Sequence, residues 1–130
     1  MTQKALLDSQ VALWAITDHQ LIGKVAFEKI KASDSVLASI LTVAELEMKF
    51  MAGAGESKVS VKKLLLEAGF EIANFGLTET DELLNQRLLD GVSPFDRIVF
   101  AQSRTLGATL FTVNKTIINL GLDWVVDARV

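Results

Sequence analysis

Three acidic side chains, far apart in the sequence, are the residues most able to do chemistry together. Asp8, Glu45 and Asp96 each fall near a predicted end of a strand or start of a helix, and Asn114 adds a further oxygen donor. A cluster of oxygen ligands suits a hard cation such as Mg²⁺ or Mn²⁺. Such carboxylates repel one another unless a cation neutralises them. The absence of cysteine and the presence of one histidine, His19, argue against disulfides, thiolate metal sites and a histidine-rich zinc centre.

The predicted elements place these residues at one edge of a parallel sheet. Short apolar runs alternate with longer stretches of helical period, as in βα units, and ligands usually bind at the carboxyl ends of parallel strands. Asp8 directly follows the first predicted strand, and Asn114 follows the fourth. Asp96 lies in the first turn of the helix before that fourth strand. Glu45 lies in the helix after the second strand, near enough to its start to lean toward the same edge.

The individual elements follow from apolar periodicity and from glycine, proline and capping signals. The 77–81 segment carries Thr78 and Asp81 at capping-box-like spacing, which predicts a helix opening there. The predicted strands are Lys4 to Leu7, Ser35 to Ala38, Glu71 to Asn74, Thr109 to Thr112 and, as a fifth, Trp124 to Val126; the predicted helices are Val11 to Ile16, Lys24 to Lys31, Leu41 to about Gly53, Val61 to Ala68, 77 to about Leu89 and Ser93 to Leu106, with a flexible break over 53–58.

Length and composition indicate one domain over residues 1–130. The chain is 50% hydrophobic and 22% charged, enough for one sizeable core, and no repeat or linker divides it. The net charge of −3 gives no uniformly basic surface, so a nucleic acid would have to be held by a local patch or by bound cations. No run approaches the roughly 20 apolar residues of a membrane span, and no signal peptide is recognisable. We therefore expect a cytoplasmic protein without a membrane partner.

Each acidic residue also has a purely structural interpretation. Asp8 is a good N-cap for the helix that follows it. Asp96 lies third in a helix that Ser93 can cap, where negative charge is favourable. Glu45 precedes Lys49 by four residues, the spacing of an ion pair on a helix surface. On pattern alone these interpretations compete with the metal site.

Four segments carrying these residues resemble the PIN-domain ribonucleases, in particular the VapC-like toxins of toxin–antitoxin pairs. Segment 6–14 resembles the opening strand with its metal-binding Asp, and 42–49 resembles the helix that bears the second acid. Segment 93–102, Ser-Pro-Phe-Asp-Arg-Ile-Val-Phe-Ala-Gln, is the most specific block. Segment 107–114 resembles the last core strand and its turn. The resemblance spans nearly the whole chain.

The resemblance implies an α/β fold, a three-layer α/β/α sandwich around a central parallel sheet. It implies that Asp8, Glu45 and Asp96 are catalytic and hold Mg²⁺ or Mn²⁺ together with Asn114, and that the metal activates water to hydrolyse single-stranded RNA. It further implies a cognate antitoxin and a homodimer. The helix from Leu41 is apolar on two arcs, which predicts that one faces the sheet and the other a partner.

Two departures from the family pattern support a different hypothesis. Many members carry Asp where this chain has Ser93, and an acid where it has Asn114. Losing negative charge should weaken cation binding, so the second hypothesis is a catalytically impaired PIN scaffold that acts through protein association. A third is a phosphate-binding or response-regulator-like domain, in which Lys115 would follow a late strand. That hypothesis gives no role to the 93–102 block.

Overall fold

The described parts of the computed structural model, residues 2–53, 60–86 and 89–130, contain a sheet of five strands. All pairings are parallel, and the strand order is β3-β2-β1-β4-β5. The central strand β1 therefore lies between β2 and β4. The strands are β1 Lys4–Leu7, β2 Ser35–Ser39, β3 Glu71–Ala73, β4 Thr109–Thr112 and β5 Val125–Asp127.

Helices cover both faces of this sheet. Alternate side chains of a strand point to opposite faces, so Leu7 joins one buried cluster with helices α1 to α4, and Leu6 joins another with α6 and α7. Both faces of the sheet are buried, as expected for a parallel sheet. The predicted three-layer α/β/α sandwich is confirmed. The helices are α1 Ser9–Thr17, α2 Lys24–Lys31, α3 Ile40–Gly53, α4 Val61–Glu67, α5 Leu77–Leu83, α6 Pro94–Leu106 and α7 Lys115–Ile118, with a short 3₁₀ helix at His19–Leu21.

Helix α5 begins at Leu77 as predicted, but it ends earlier than predicted and is capped differently. It ends at Leu83 rather than near Leu89, because the backbone then turns and buries Leu89 against the α6 side of the sheet. Its start is not capped by the predicted pair. Instead the N–H of Gly76 donates to the Glu79 carboxylate at 2.9 Å, and the helix begins at Leu77. The apolar period continues past Leu83, which is why the sequence suggested a longer helix.

Other differences are smaller. Helix α1 starts at Ser9, two residues earlier than predicted, because Asp8 is its N-cap. The four-residue helix α7 was not predicted. Helix α3 is described as far as Gly53, and the rest of the predicted flexible break, 54–58, lies outside the described residues. The two apolar arcs of α3 separate as predicted: Val43 and Leu46 on one arc are buried, whereas Ile40 and Met48 on the other are exposed.

No helix in the described ranges is both long and apolar enough to cross a membrane.

Candidate metal centre

The predicted site residues meet in a single cavity of about 260 Å³ at the carboxyl edge of the sheet. Asp8 reaches it from the end of β1, and Asn114 from the end of β4. Glu45 enters from α3 and Asp96 from the first turn of α6. Four residues that are distant in sequence therefore surround one space. The residues lining it are Asp8, Ser9, Gln10, Glu45, Lys49, Ser93, Asp96, Val113 and Asn114.

Asp8 is buried, with both carboxylate oxygens hydrogen-bonded. One accepts from the N–H of Val11 at 2.9 Å and caps α1. The other accepts from the Thr112 hydroxyl at 2.6 Å and from the N–H of Val113 at 3.2 Å. Burial raises the pKa of the Asp8 carboxyl; these hydrogen bonds lower it in part, and the negative charge of Asp96 raises it further. Asp8 is therefore both a helix cap and a buried carboxylate that has a second carboxylate, that of Asp96, near it.

Asp96 and Asn114 are joined across the cavity. Ser93, not Asp96, caps α6: its hydroxyl accepts from the N–H of Asp96 at 3.2 Å. The Asp96 side chain instead accepts from the Asn114 amide nitrogen at 3.1 Å. The amide oxygen of Asn114 accepts from the N–H of Ile117 at 3.1 Å and caps α7. Both ends of the Asn114 amide are thus occupied, and neither oxygen of Asp96 caps its own helix.

Glu45 combines an exposed ion pair with a buried oxygen. One carboxylate oxygen lies 3.4 Å from the ammonium of Lys49, so the ion pair suggested by their spacing forms. The other oxygen is buried and accepts no hydrogen bond from the described residues. A buried, unpaired carboxylate oxygen is costly. This oxygen is the observation that most favours a cation in the cavity.

Hydroxyl groups beneath the acids fix their positions, and the sequence did not reveal them. Thr112 both donates to Asp8 and accepts from the backbone N–H of Asn114 at 3.0 Å. Ser9 and Thr42 share a buried hydrogen bond of 3.1 Å, which ties α1 to α3. Their only sequence signal is a small hydroxyl residue next to Asp8, three residues before Glu45 or two residues before Asn114.

The arrangement is compatible with a divalent cation that keeps part of its water shell. Among the described residues, no three acidic side chains converge closely enough to enclose an ion. Mg²⁺ is commonly held by one or two carboxylates, with waters and substrate phosphates completing its octahedron. The oxygen-only donors and the unsatisfied Glu45 oxygen match that mode. The residues present therefore fit Mg²⁺ or Mn²⁺.

The single histidine and the lysine of the response-regulator-like hypothesis lie away from the cavity. His19 is exposed and stacks on Phe27, with ring centroids 5.2 Å apart. Lys115 is exposed at the start of α7 and does not line the cavity. A response-regulator-like site would require that lysine beside the acids. The geometry therefore argues against that hypothesis.

The raised pKa of Asp8 predicts how stability varies with pH. The folded protein binds this proton more readily than the unfolded chain, so the stabilising contribution is fully present below the unfolded pKa and is lost as pH rises through the folded pKa. We expect the metal-free protein to lose stability relative to Asp8→Asn as pH rises above the ordinary aspartate pKa of about 4 and through the raised pKa of the folded protein. Urea unfolding of both proteins measures the difference. A difference independent of pH would contradict the burial argument.

Comparison with known proteins places this geometry in a family. The family model described as PIN domain matches residues 5–121. No curated protein sequence is significantly similar to the chain.

Several solved structures share the fold at low sequence identity. The VapBC2 complex of Rickettsia felis, bound to a DNA fragment from its promoter, matches with a TM-score of 0.70 and 18% identity, covering 95% of this chain and 96% of that chain. A toxin–antitoxin complex from Klebsiella pneumoniae matches with a TM-score of 0.67 and 19% identity, covering 95% and 97%. VapC20 of Mycobacterium tuberculosis, a sarcin–ricin loop cleaving toxin, gives 0.65 and 15%, covering 95% and 99%. These likenesses agree with the match to the family model, which spans most of the sequence, and the chain belongs to the PIN domain family.

Proposed function

We propose that this PIN domain is a metal-dependent endoribonuclease that cleaves RNA phosphodiester bonds, and that it is the toxin of a toxin–antitoxin pair. The observation that carries the proposal is the meeting of Asp8, Glu45 and Asp96 in one cavity at the carboxyl edge of the sheet. A carboxylate cluster of this kind, in a fold shared with RNA-cleaving toxins, is suited to hold Mg²⁺ or Mn²⁺. The proposal treats residues 1–130 as one domain acting in the cytoplasm.

The three acids have distinct roles in this proposal. Asp8 is fixed by Thr112 and Val113, so it offers a rigid carboxylate at the base of the cavity. Glu45 on α3 and Asp96 on α6 also line the cavity, and their carboxylates add further negative charge there. When bound, the metal lowers the pKa of a coordinated water and stabilises charge on the leaving oxygen. The chain itself needs no nucleophilic side chain.

The cavity also accounts for how an acidic protein would engage RNA. With a net charge of −3, the surface as a whole repels a polyanion. A divalent cation held by the acids offsets most of their negative charge where a phosphate must approach. Cleavage would then be confined to strands able to bring a phosphodiester to this edge of the sheet, which favours single-stranded RNA over a regular duplex.

The proposed partners come from the similar structures and from α3. Two of those structures are toxin–antitoxin complexes, which supports a cognate antitoxin. VapC20 cleaves the sarcin–ricin loop, which supports an RNA substrate. Helix α3 leaves a row of apolar side chains uncovered, including Ile40 at 39% and Met48 at 56% exposure. This row supports the proposed homodimer.

The direct test is RNA cleavage by the purified protein. Structured and unstructured RNAs are incubated with Mn²⁺, with EDTA, and with EDTA followed by excess Mn²⁺. We expect cleavage with Mn²⁺, none with EDTA, and recovery when metal is restored. Cleavage that persists in EDTA would rule out the metal mechanism.

The impaired-scaffold alternative rests on Asn114, and Asn114→Asp tests it. A carboxylate there would face Asp96, so the hydrogen bond of 3.1 Å becomes a repulsion that only a cation relieves. We expect the metal-free variant to be less stable than the wild type by about 1 kcal/mol. We expect it to bind Mn²⁺ roughly tenfold more tightly. Thermal unfolding and calorimetry measure the two effects.

Asn119→Asp is the matched control, since Asn119 ends α7 outside the cavity. If the wild type binds no Mn²⁺ and Asn114→Asp does, the scaffold alternative is favoured. If the wild type and Asn114→Asp bind Mn²⁺ equally, the missing charge is not the defect that the scaffold alternative requires.

A further inference from the structure

Lys49 holds a distinctive position at the candidate metal centre. It lies one helical turn after Glu45 on α3, and its ammonium is 3.4 Å from a Glu45 oxygen. Among the described residues that line the cavity, it alone is basic. The sequence suggested a solvated surface pair, but the pair borders the cavity where the acids meet. Lys49 therefore belongs to the electrostatics of the site.

The two partners of this ion pair differ in their freedom to move. The side chain of Lys49 is 62% exposed, whereas that of Glu45 is 18% exposed. A long, solvated lysine side chain can redirect its ammonium at little cost, while the Glu45 carboxylate is held by its surroundings. If the pair separates, Lys49 is the member that moves. It would remain above the cavity because α3 anchors its backbone.

Formal charge shows why both a cation and Lys49 can be accommodated. Asp8, Glu45 and Asp96 together carry −3 when ionised, and Asn114 adds nothing. A divalent cation (+2) and the ammonium (+1) together give +3. A cation coordinated by Glu45 would repel the ammonium from its present position, and the acids and cation would then carry a combined charge of −1, which the ammonium balances while it stays at the cavity. The displaced ammonium would then be available to an anion at the cavity mouth.

We propose that Lys49 binds an RNA phosphate. Until a divalent cation binds the Glu45 carboxylate, the Lys49 ammonium stays paired with that carboxylate. This inference rests on the proposed ribonuclease function. It assigns Lys49 a substrate-binding role that neither the ion pair nor the helix requires. Because the ammonium competes with metal for Glu45 and attracts phosphate, its removal should change the two affinities in opposite directions.

The test compares Lys49→Gln with Lys31→Gln. Lys31 is a matched control because it is also exposed and paired with a glutamate on its own helix, Glu28 at 3.8 Å, away from the cavity. Calorimetry without RNA should show Mn²⁺ binding about two- to fivefold more tightly to Lys49→Gln than to the wild type. Lys31→Gln should match the wild type. Thermal unfolding checks that both variants are folded.

RNA binding is measured by fluorescence anisotropy with a labelled single strand of roughly ten nucleotides. Ca²⁺ replaces Mn²⁺, and a gel confirms that the strand stays intact. We expect Lys49→Gln to bind about fivefold or more weakly, with the slope of log affinity against log salt reduced by about 0.7. Lys49→Arg keeps the charge and should retain most of the affinity. Lys31→Gln should change RNA binding far less.

The outcomes separate this inference from the proposed function. If wild-type protein takes up no Mn²⁺, the metal mechanism itself is overturned. If the wild type binds Mn²⁺ and cleaves RNA, but Lys49→Gln binds metal no more tightly, the Glu45 competition is overturned. Loss of RNA affinity no greater than in Lys31→Gln would overturn the phosphate-binding role. Opposite shifts in the two affinities would support the inference as stated.

Discussion

Asp8→Asn is expected to lower the rate of metal-dependent RNA cleavage by at least about a hundredfold, because loss of partners that merely orient a metal ligand already costs 10- to 100-fold. The substitution removes the carboxylate that the fold fixes most firmly, at the base of the cavity. The asparagine oxygen can still cap α1 through Val11. The hydrogen bond from Val113 is lost, but a buried negative charge is removed with it, so the fold should persist.

Asp18→Asn is the matched control. Asp18 is also an N-cap, accepting from the N–H of Gln20 at 3.2 Å at the start of the 3₁₀ helix, but it is exposed and lies outside the cavity. Cleavage of a labelled single-stranded RNA in Mn²⁺ should be unchanged in this variant. Equal rates for Asp8→Asn and wild type would contradict the mechanism, and equal losses in both variants would point to capping rather than metal binding.

Gly23→Ala should lower the free energy of unfolding by about 3 kcal/mol. The chain near its last residues passes directly over Gly23. The Gly23 N–H donates to the Ala128 carbonyl at 2.7 Å, and the Val25 N–H donates to the Val130 carbonyl at 3.0 Å. A methyl group at position 23 would overlap the backbone of Arg129 and Val130. Because backbone rather than a flexible side chain blocks the methyl, relief requires breaking these hydrogen bonds.

Urea unfolding measures the effect, and Gly76→Ala is its control. A methyl at Gly76 meets only the Glu79 carboxylate, at 3.5 Å, an ordinary contact. Gly76 precedes α5, so its replacement by alanine should cost below about 1 kcal/mol. Similar losses for the two variants would show that the close packing of the 128–130 segment on α2 does not contribute to stability.

Much of the sheet could be predicted from the sequence, because its strands are short apolar runs bounded by clear signals. Pro94 and Gly107 fixed the limits of α6, and the strand after Gly107 followed from them. Prediction of helix ends failed where the local spacing of apolar residues and the packing of the core favour different structures. The leucines after Leu83 continue a helical spacing in the sequence. The helix nevertheless ends at Leu83, and Leu89 packs in the core beside α6.

The sequence was enough to predict which acidic and amide residues line the candidate site, but it did not predict the hydrogen bonds between them. The positions of Asp8, Asp96 and Asn114 at one sheet edge follow from parallel topology. That Asn114 caps α7 while donating to Asp96 could not be inferred, because a four-residue helix has too little periodicity to be recognised. The partial burial of Glu45 depends on α3 beginning at Ile40, immediately after β2.

The central claim is that the catalytic metal binds in the cavity lined by Asp8, Glu45 and Asp96, and a crystal structure of the protein soaked in Mn²⁺ tests it most directly. Anomalous scattering identifies Mn²⁺ independently of the protein density. We predict a peak in the cavity, at about 2.1 Å from carboxylate oxygens of this trio, with water completing the coordination. A peak elsewhere, or a cavity without one at saturating Mn²⁺, would contradict the claim.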